Sequence, residues 1–272
     1  MRIAFIIILI FLKWNCFGQI FKSNQFKPFP VSEFNGDQWN QSPPYNKSFA
    51  VAIVKGGLQI SKNQAPEGFK QVQLNTGTFL AMDLGEWGGA LYYLPNDTSK
   101  RKFLVNGESQ DVNSNFPMIG VPKIPSISRF YKKKLLRVLY GNISDFTPYS
   151  DSTFLIAEGN LPTDINNKAP GALYKLFVKS DGFNYSKIAD IHDSSGKIAT
   201  YKDFIFSTTF QGFYSVNNGK VEMLFDNLFW KWLNPNSIVA INEHHIYVGM
   251  YGGYAEIDAV KKRLIFYKYK AE

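Results

Sequence analysis

Asp83 and Glu86 stand beside Trp87 in the stretch Met82–Gly89 (MDLGEWGG). Two more acids, Glu158 and Asp164, fall in Ala157–Pro170, a long segment between two apolar runs. Carboxylates next to an indole suit a sugar, which stacks on the ring while its hydroxyls bond to the acid oxygens. The same oxygens suit Ca²⁺, and a pair of acids can act as general acid and base on a glycosidic bond. In Phe229-Trp230-Lys231-Trp232, an extended backbone would put Trp230 and Trp232 on one face. Tyr251 adds a phenol beside Gly252-Gly253. The ligand-binding candidates are therefore Asp83, Glu86, Trp87, Glu158, Asp164, Trp230, Trp232 and Tyr251. Each has a plain structural use as well. Acids form turns, and large aromatics fill the space between packed sheets.

Other chemistry is thin. The three histidines are His192, His244 and His245. His244-His245 precedes a strand, and adjacent strand residues point to opposite faces, so the pair is poorly placed to hold one metal. His192-Asp193 reads as a surface turn. There is no zinc-ligand spacing, phosphate-cradling Gly-Lys-Ser/Thr run, dinucleotide fingerprint, EF-hand loop or Gly-x-Ser-x-Gly elbow. A Ser-His-Asp arrangement stays open, because its members need not be close along the chain. No cofactor and no metal centre are expected, Ca²⁺ at the carboxylates being the one metal their oxygens would suit.

The elements that must carry these residues repeat. Five stretches show an apolar run, a Gly-Gly or Gly-small pair, and a second alternating run: Phe49–Ile60, Phe79–Leu94, Phe154–Leu176, Phe204–Val216 and Ile246–Ile257. Anchored on Gly57, Gly89, Ala172, Gly212 and Gly253, they are spaced by 32, 83, 40 and 41 residues. The gap of 83 is near twice 41, which predicts a sixth, blurred unit at Lys134–Phe146 and a mean repeat of about 39 residues. Within Ile246–Asp258, Ile246 and Val248 alternate with Tyr247 and Gly249, and Tyr254, Glu256 and Asp258 alternate with Ala255 and Ile257. That period of two makes strands. Asn218-Gly219 is a hairpin turn, and Asp181-Gly182 and Ser195-Gly196 mark others. The segment Gln19–Ser48 is placed to supply a closing strand.

These units, most clearly Phe79–Leu94 and Ile246–Ile257, resemble those of β-propeller repeat proteins in general, over about residues 49–269. They lack the Trp-Asp ending of one common propeller class, and the paired Gly with spaced Tyr and Trp of another. The resemblance implies an all-β, radial fold, a six-bladed propeller with five or seven blades as alternatives, and a central channel whose mouth binds the ligand. It implies no activity, since propellers host enzymes, lectins and scaffolds.

Met1-Arg2 followed by the apolar run Ile3–Leu12 reads as a secretory signal peptide over 1–18, ahead of a single domain over 19–272. The run is too short to span a bilayer. Its loss would remove Cys16, the only cysteine, leaving a chain without disulfides. Lysine, tryptophan and asparagine before Cys16 argue against a lipid anchor there. The net charge is +8, with a cluster at Arg129, Lys132, Lys133, Lys134 and Arg137. Such a balance favours acidic partners, or a lysine-rich edge that resists pairing. Asn40, Asn46, Asn96, Asn142 and Asn184 stand in Asn-x-Ser/Thr triplets. The expectation is a secreted or periplasmic, non-enzymatic binding or scaffold module with a protein or glycan partner in the envelope or exterior and no nucleic acid. The alternative is a carboxylate- or metal-dependent enzyme acting on a sugar, lactone or polysaccharide.

Overall fold

The computed structural model describes residues 19–30, 47–63, 69–83, 89–97, 99, 102–112, 134–159 and 169–270, apart from the side chains of Lys231 and Trp232. The expected leader and Cys16, Asn40, Asn46, Glu86, Trp87, Arg129, Lys132, Lys133 and Asp164 lie outside the described residues. Within them the chain is all-β, in five sheets, with no α-helix.

The chain enters through β1 (Ile20–Phe21), a 3-10 turn at Ser23–Gln25 and β2 (Phe26–Phe29). Hairpin β3 (Phe49–Val54) and β4 (Gly57–Lys62) turns at Lys55-Gly56, and β1 pairs on β4. Next come β5 (Phe69–Leu74), β6 (Gly77–Asp83) and β7 (Gly89–Pro95), an antiparallel meander. A short hairpin of β8 (Lys102–Val105) and β9 (Glu108–Asp111) follows, turning at Asn106-Gly107. Then β10 (Leu136–Tyr140) returns to pair with β7. The third sheet takes β11 (Ile143–Ser150), β12 (Thr153–Gly159), β13 (Gly171–Val178) and β14 (Gly182–Ile191) in order. Strand β8 joins it in a parallel pairing, Gly182 opposite Leu104. A side chain at Gly182 would overlap the Leu104 carbonyl, so the close approach requires glycine.

The fourth sheet is a simple meander of β15 (Ser195–Tyr201), β16 (Phe204–Thr209), β17 (Phe213–Asn217) and β18 (Lys220–Phe225). After a 3-10 turn at Phe229–Trp232 come β19 (Ser237–Asn242), β20 (His245–Met250), β21 (Gly253–Asp258) and β22 (Arg263–Tyr269). Strand β2 completes this last sheet, antiparallel to β22, with Phe26 opposite Tyr269 and Phe29 opposite Phe266. The segment Gln19–Ser48 thus gives β2 to the last sheet and β1 to the first.

Each of the five glycine-punctuated stretches is a pair of neighbouring strands: β3–β4, β6–β7, β12–β13, β16–β17 and β20–β21. The expected sixth unit at Lys134–Phe146 is corrected. Strand β10 ends the second sheet on β7 while β11 opens the third, so that segment links two sheets. The doubled gap arises from the intervening β8–β9 hairpin and β10, because spacing along the chain counts residues and not pairings.

The chain forms two compact units. One holds Pro66–Ile156 and Tyr174–Ser186, the other Cys16–Ala65, Ala157–Leu173 and Lys187–Glu272. In the first, Phe79 centres the core, its ring 5.1 Å from Phe146, 5.1 Å from Tyr93 and 5.3 Å from Phe183. In the second, one core gathers Phe206, Phe213, Trp230, Ile246, Val248 and Phe266, and another gathers Phe21, Phe26, Phe49, Tyr254 and Tyr269. The aromatic content is thus used largely as packing. Also in the second unit, β19 packs between β3 and β15. Ser237 Oγ accepts the Val51 N–H at 2.9 Å, and Asn236 Nδ2 donates to Ser48 Oγ at 2.8 Å and to the Phe49 carbonyl at 3.0 Å.

Candidate functional site

Of the sequence-derived candidates, Asp83, Glu158, Trp230 and Tyr251 fall among the described residues, while Glu86, Trp87, Asp164 and the side chain of Trp232 lie outside them. Asp83 ends β6, half-buried, opposite Gly89, in the first unit. Glu158 lies near the end of β12, half-buried, in the second unit. It adds to the rise in the Lys187 ammonium pKa, behind the larger effect of the Asp190 hydrogen bond. Trp230 is fully buried, edge-on to Phe213 at 6.1 Å, with no hydrogen-bond partner for its Nε1. Trp230 presents no ring face to solvent. Tyr251 is half-buried and bridges to Ser48. Among the acceptor triplets, Asn142 is buried against Gly89 and Asn96 is exposed, its amide donating to the Asn75 carbonyl at 2.8 Å.

The structure brings together a different set, on the last sheet. Register places Tyr247 of β20 opposite Glu256 of β21, and Tyr254 of β21 opposite Tyr267 of β22. Alternation then puts His245, Tyr247, Tyr254, Glu256 and Tyr267 on one face. Glu256 is the hub. Its Oε1 lies 3.0 Å from His245 Nδ1 and accepts from the Tyr247 hydroxyl at 3.4 Å; its Oε2 accepts from the Tyr267 hydroxyl at 3.2 Å. Tyr254 and Tyr267 stack with centroids 4.9 Å apart and planes 9° from parallel. The face grades from the buried Tyr254, packed near Phe26, to the exposed His245. With Nδ1 held by a carboxylate, the ring of the half-exposed His245 side chain keeps a fixed orientation.

The phenols of this face hold their protons tightly. Burial first, then the Glu256 charge and the hydrogen bond to it, push Tyr247 up from 10.0 to about 12. Burial and the neighbouring Tyr267 and Glu256 raise Tyr254, and burial and Glu256 raise Tyr267. The group is therefore a set of neutral hydroxyl donors around one carboxylate at any ordinary pH. The raised values have a stability consequence with a definite sign. Below pH 10 the phenols are protonated in both states; between 10 and 12 only the unfolded chain gives up the Tyr247 proton, so the native state weakens as pH rises. Urea midpoints measured across this range should fall with pH, and less steeply in Tyr247→Phe. Equal slopes in the two proteins would contradict the assignment.

The neighbouring residues of the two histidine pairs behave differently from their partners. His244 Nδ1 meets Asp258 at 3.0 Å, two residues along β21 from Glu256. Burial alone would raise the Asp258 carboxyl, but the Lys261 backbone N–H and the His244 side chain hold it below the usual carboxylate range. At the other pair, His192 is exposed while Asp193 is buried, which corrects the reading of both as a surface turn. Asp193 Oδ1 accepts the Ser194 N–H at 2.8 Å, and Oδ2 accepts the Thr209 hydroxyl at 2.5 Å and the Gln211 N–H at 2.9 Å. This carboxylate is a structural hub. No group of three or more His, Cys, Asp or Glu among the described residues is arranged to hold a metal ion.

No family model and no curated protein matches the chain. A crystal structure of a mutant puromycin hydrolase is similar to it with a TM-score of 0.40 and 12% identity, covering 80% of this chain and 34% of that one. The S. cerevisiae Dbp5 complex with Nup159, Gle1, IP6 and ADP gives 0.28 and 11% over 78% of this chain and 68% of that one. The N-terminal domain of Nup159 gives 0.26 and 9%, with the same coverage. This chain thus spans about a third of the hydrolase chain, and its fold rests on the strand pairing above. No helix among the described residues is long and apolar enough to cross a membrane.

Proposed function

We propose that this protein is an exported, non-enzymatic binding module, a five-bladed β-propeller that engages a glycan through the Glu256 face. The observation that carries the reading is the cluster of donors around Glu256. Both of its oxygens are engaged by tyrosine hydroxyls and an imidazole, and the tyrosines stay neutral. Such a carboxylate orients the donors around it toward a bound hydroxylated ligand. Half-buried tyrosines present both a ring and a hydroxyl, which suits a sugar's C–H face and its hydroxyls. Five consecutive sheets, the closing of the last by β2, and the packing of β19 between β3 and β15 support the propeller. The basic, apolar start of the chain supports export. A crystal structure with the five sheets around one axis is the direct check on the architecture.

Calorimetric titration with a panel of soluble acidic and neutral oligosaccharides tests the binding function. Glu256→Gln keeps the shape of the hub but loses its charge, and should weaken binding about tenfold. Tyr267→Phe should weaken it less, because only one hydroxyl is lost. A panel with no ligand, or affinities indifferent to both changes, would sink the reading. The enzymatic alternative draws on one observation, the half-exposed His245 imidazole backed through Nδ1 by Glu256. Turnover of a bound sugar that His245→Gln abolishes would favour it.

A further inference from the structure

One end of the second unit gathers hairpin tips: Lys55-Gly56 after β3, Lys202-Asp203 after β15, Glu243-His244 after β19 and Ala259–Lys262 after β21. They share that end for a definite reason. Strands β3 and β19 begin side by side, at Ser48, Phe49 and Asn236, and their next contact is Val51 with Ser237, so they run the same way. At the far end Lys202 Nζ reaches Glu243 Oε1 at 3.9 Å, and the Ala259 N–H donates to the Glu243 carbonyl at 2.8 Å.

The residues on these tips are unusual for turns. In its turn Val260 is 63% exposed, and on the strand ends leading into the tips Val54 is 43%, Ile241 38% and Ile53 37% exposed. Turn positions ordinarily take Asn, Asp, Gly or Ser, and an exposed aliphatic side chain there gains nothing from the core. The lysines are equally unusual. Lys55, Lys202 and Lys262 hold left-handed backbone, with φ of 51°, 51° and 47°, and no other lysine among the described residues does so. At the Asn106-Gly107 and Asn218-Gly219 turns the corresponding left-handed position holds Asn, which tolerates it better. The acids at this end are Asp258, Glu243, Glu222 and Asp203. Asp258 is buried below Lys261, Glu243 is half-buried beside Lys202, Glu222 meets Lys262 at 3.0 Å, and Asp203 is exposed. Lys55 has no acidic partner among the described residues.

We propose that this end docks on the anionic surface of a phospholipid bilayer, its aliphatic tips entering the headgroup region and its lysines meeting lipid phosphates. Interfacial binding of this kind needs exposed apolar area together with cationic side chains, and both occur at this end, on the turns and the strand ends leading into them. Projecting hairpin tips meet a bilayer surface without needing a groove to receive the ligand. The net charge of +8 has the sign that attracts an anionic leaflet.

The test is co-sedimentation of the full chain with phosphatidylcholine vesicles, with and without phosphatidylglycerol. Lys55→Asn with Lys202→Asn removes two charges while placing a residue that favours the left-handed backbone, so the fold should be kept. Thermal melting of each variant checks this directly. The unsubstituted chain should bind the phosphatidylglycerol vesicles in a salt-sensitive way, and the double lysine variant about thirty-fold more weakly. Val54→Ser with Val260→Ser should also weaken binding, with less effect on its salt dependence. Leu104→Ser, an exposed aliphatic of the first unit, should change nothing. No binding to anionic vesicles would overturn the proposal, as would binding that none of these changes alters. Retention on an acidic polysaccharide matrix without vesicle binding would also overturn it, in favour of a soluble polyanion.

Discussion

Gly249→Ala should cost about 3 kcal/mol or more of stability, the scale of forcing an atom into a closed interior. Gly249 sits on β20, paired with Ser237 on one side and Tyr254 on the other. A Cβ there would overlap the Phe49 carbonyl oxygen, lie 2.5 Å from Ser237 Oγ and lie 3.0 Å from Ala50 Cα. Two of those atoms are backbone, and β3 is held in place by the Asn236 and Ser237 hydrogen bonds. The Gly249 carbonyl is itself tied to the Asn236 N–H at 2.9 Å. Neither side can yield without breaking the junction of the first and last sheets. Gly57→Ala is the matched control, because its Cβ would meet only the Val54 carbonyl oxygen, at 3.7 Å. Urea unfolding of both variants reads the difference. A Gly249→Ala protein as stable as Gly57→Ala would show that the junction is looser than its geometry.

Asp193→Ala should cost roughly 3 kcal/mol, because three donors lose a buried charged acceptor. The Thr209 hydroxyl is doubly committed, donating to Asp193 and accepting the Gly212 N–H at 2.8 Å, so the loss spreads along the β16–β17 link. The surroundings cannot refill the space easily. Gly171 packs so closely that a Cβ would fall 2.6 Å from Ser195 N and 2.7 Å from the Asp193 carbonyl oxygen. Asp193→Asn keeps one oxygen but turns an amide NH₂ toward a donor, and should fall between wild type and Ala. Denaturant melts of the two variants give the order. A loss below about 1 kcal/mol for Ala would mean that water or a neighbour replaces the carboxylate.

Both residues show where reading the chain stops. Asp193 follows a histidine and precedes Ser-Ser-Gly, a composition that says turn, and the backbone does turn there. The partners of its buried carboxylate include Thr209 and Gln211, neither of them a neighbour in sequence. His244 in the turn and His245 at the start of β20 each find their own carboxylate, Asp258 and Glu256. The alternation of Tyr254, Glu256 and Asp258 was legible. That Tyr247 and Tyr267 flank Glu256 was not, because a shift of one residue in the β20–β21–β22 register would send Glu256 to the other face. The acids that drew attention in the sequence, Asp83 and Glu158, belong to different units.

Strands and hairpins are written locally in the chain. Apolar residues at every second position specify a two-faced strand, and Gly or Asn-Gly specifies where it reverses, both through interactions a few residues long. That is why all five glycine-punctuated stretches are neighbouring strand pairs. Only the tertiary structure decided the longer pairings: β2 on β22, β10 on β7, and β8 parallel to β14. Those contacts are made by backbone N–H and C=O groups, which every residue but proline carries alike, so partner choice leaves little mark on residue type.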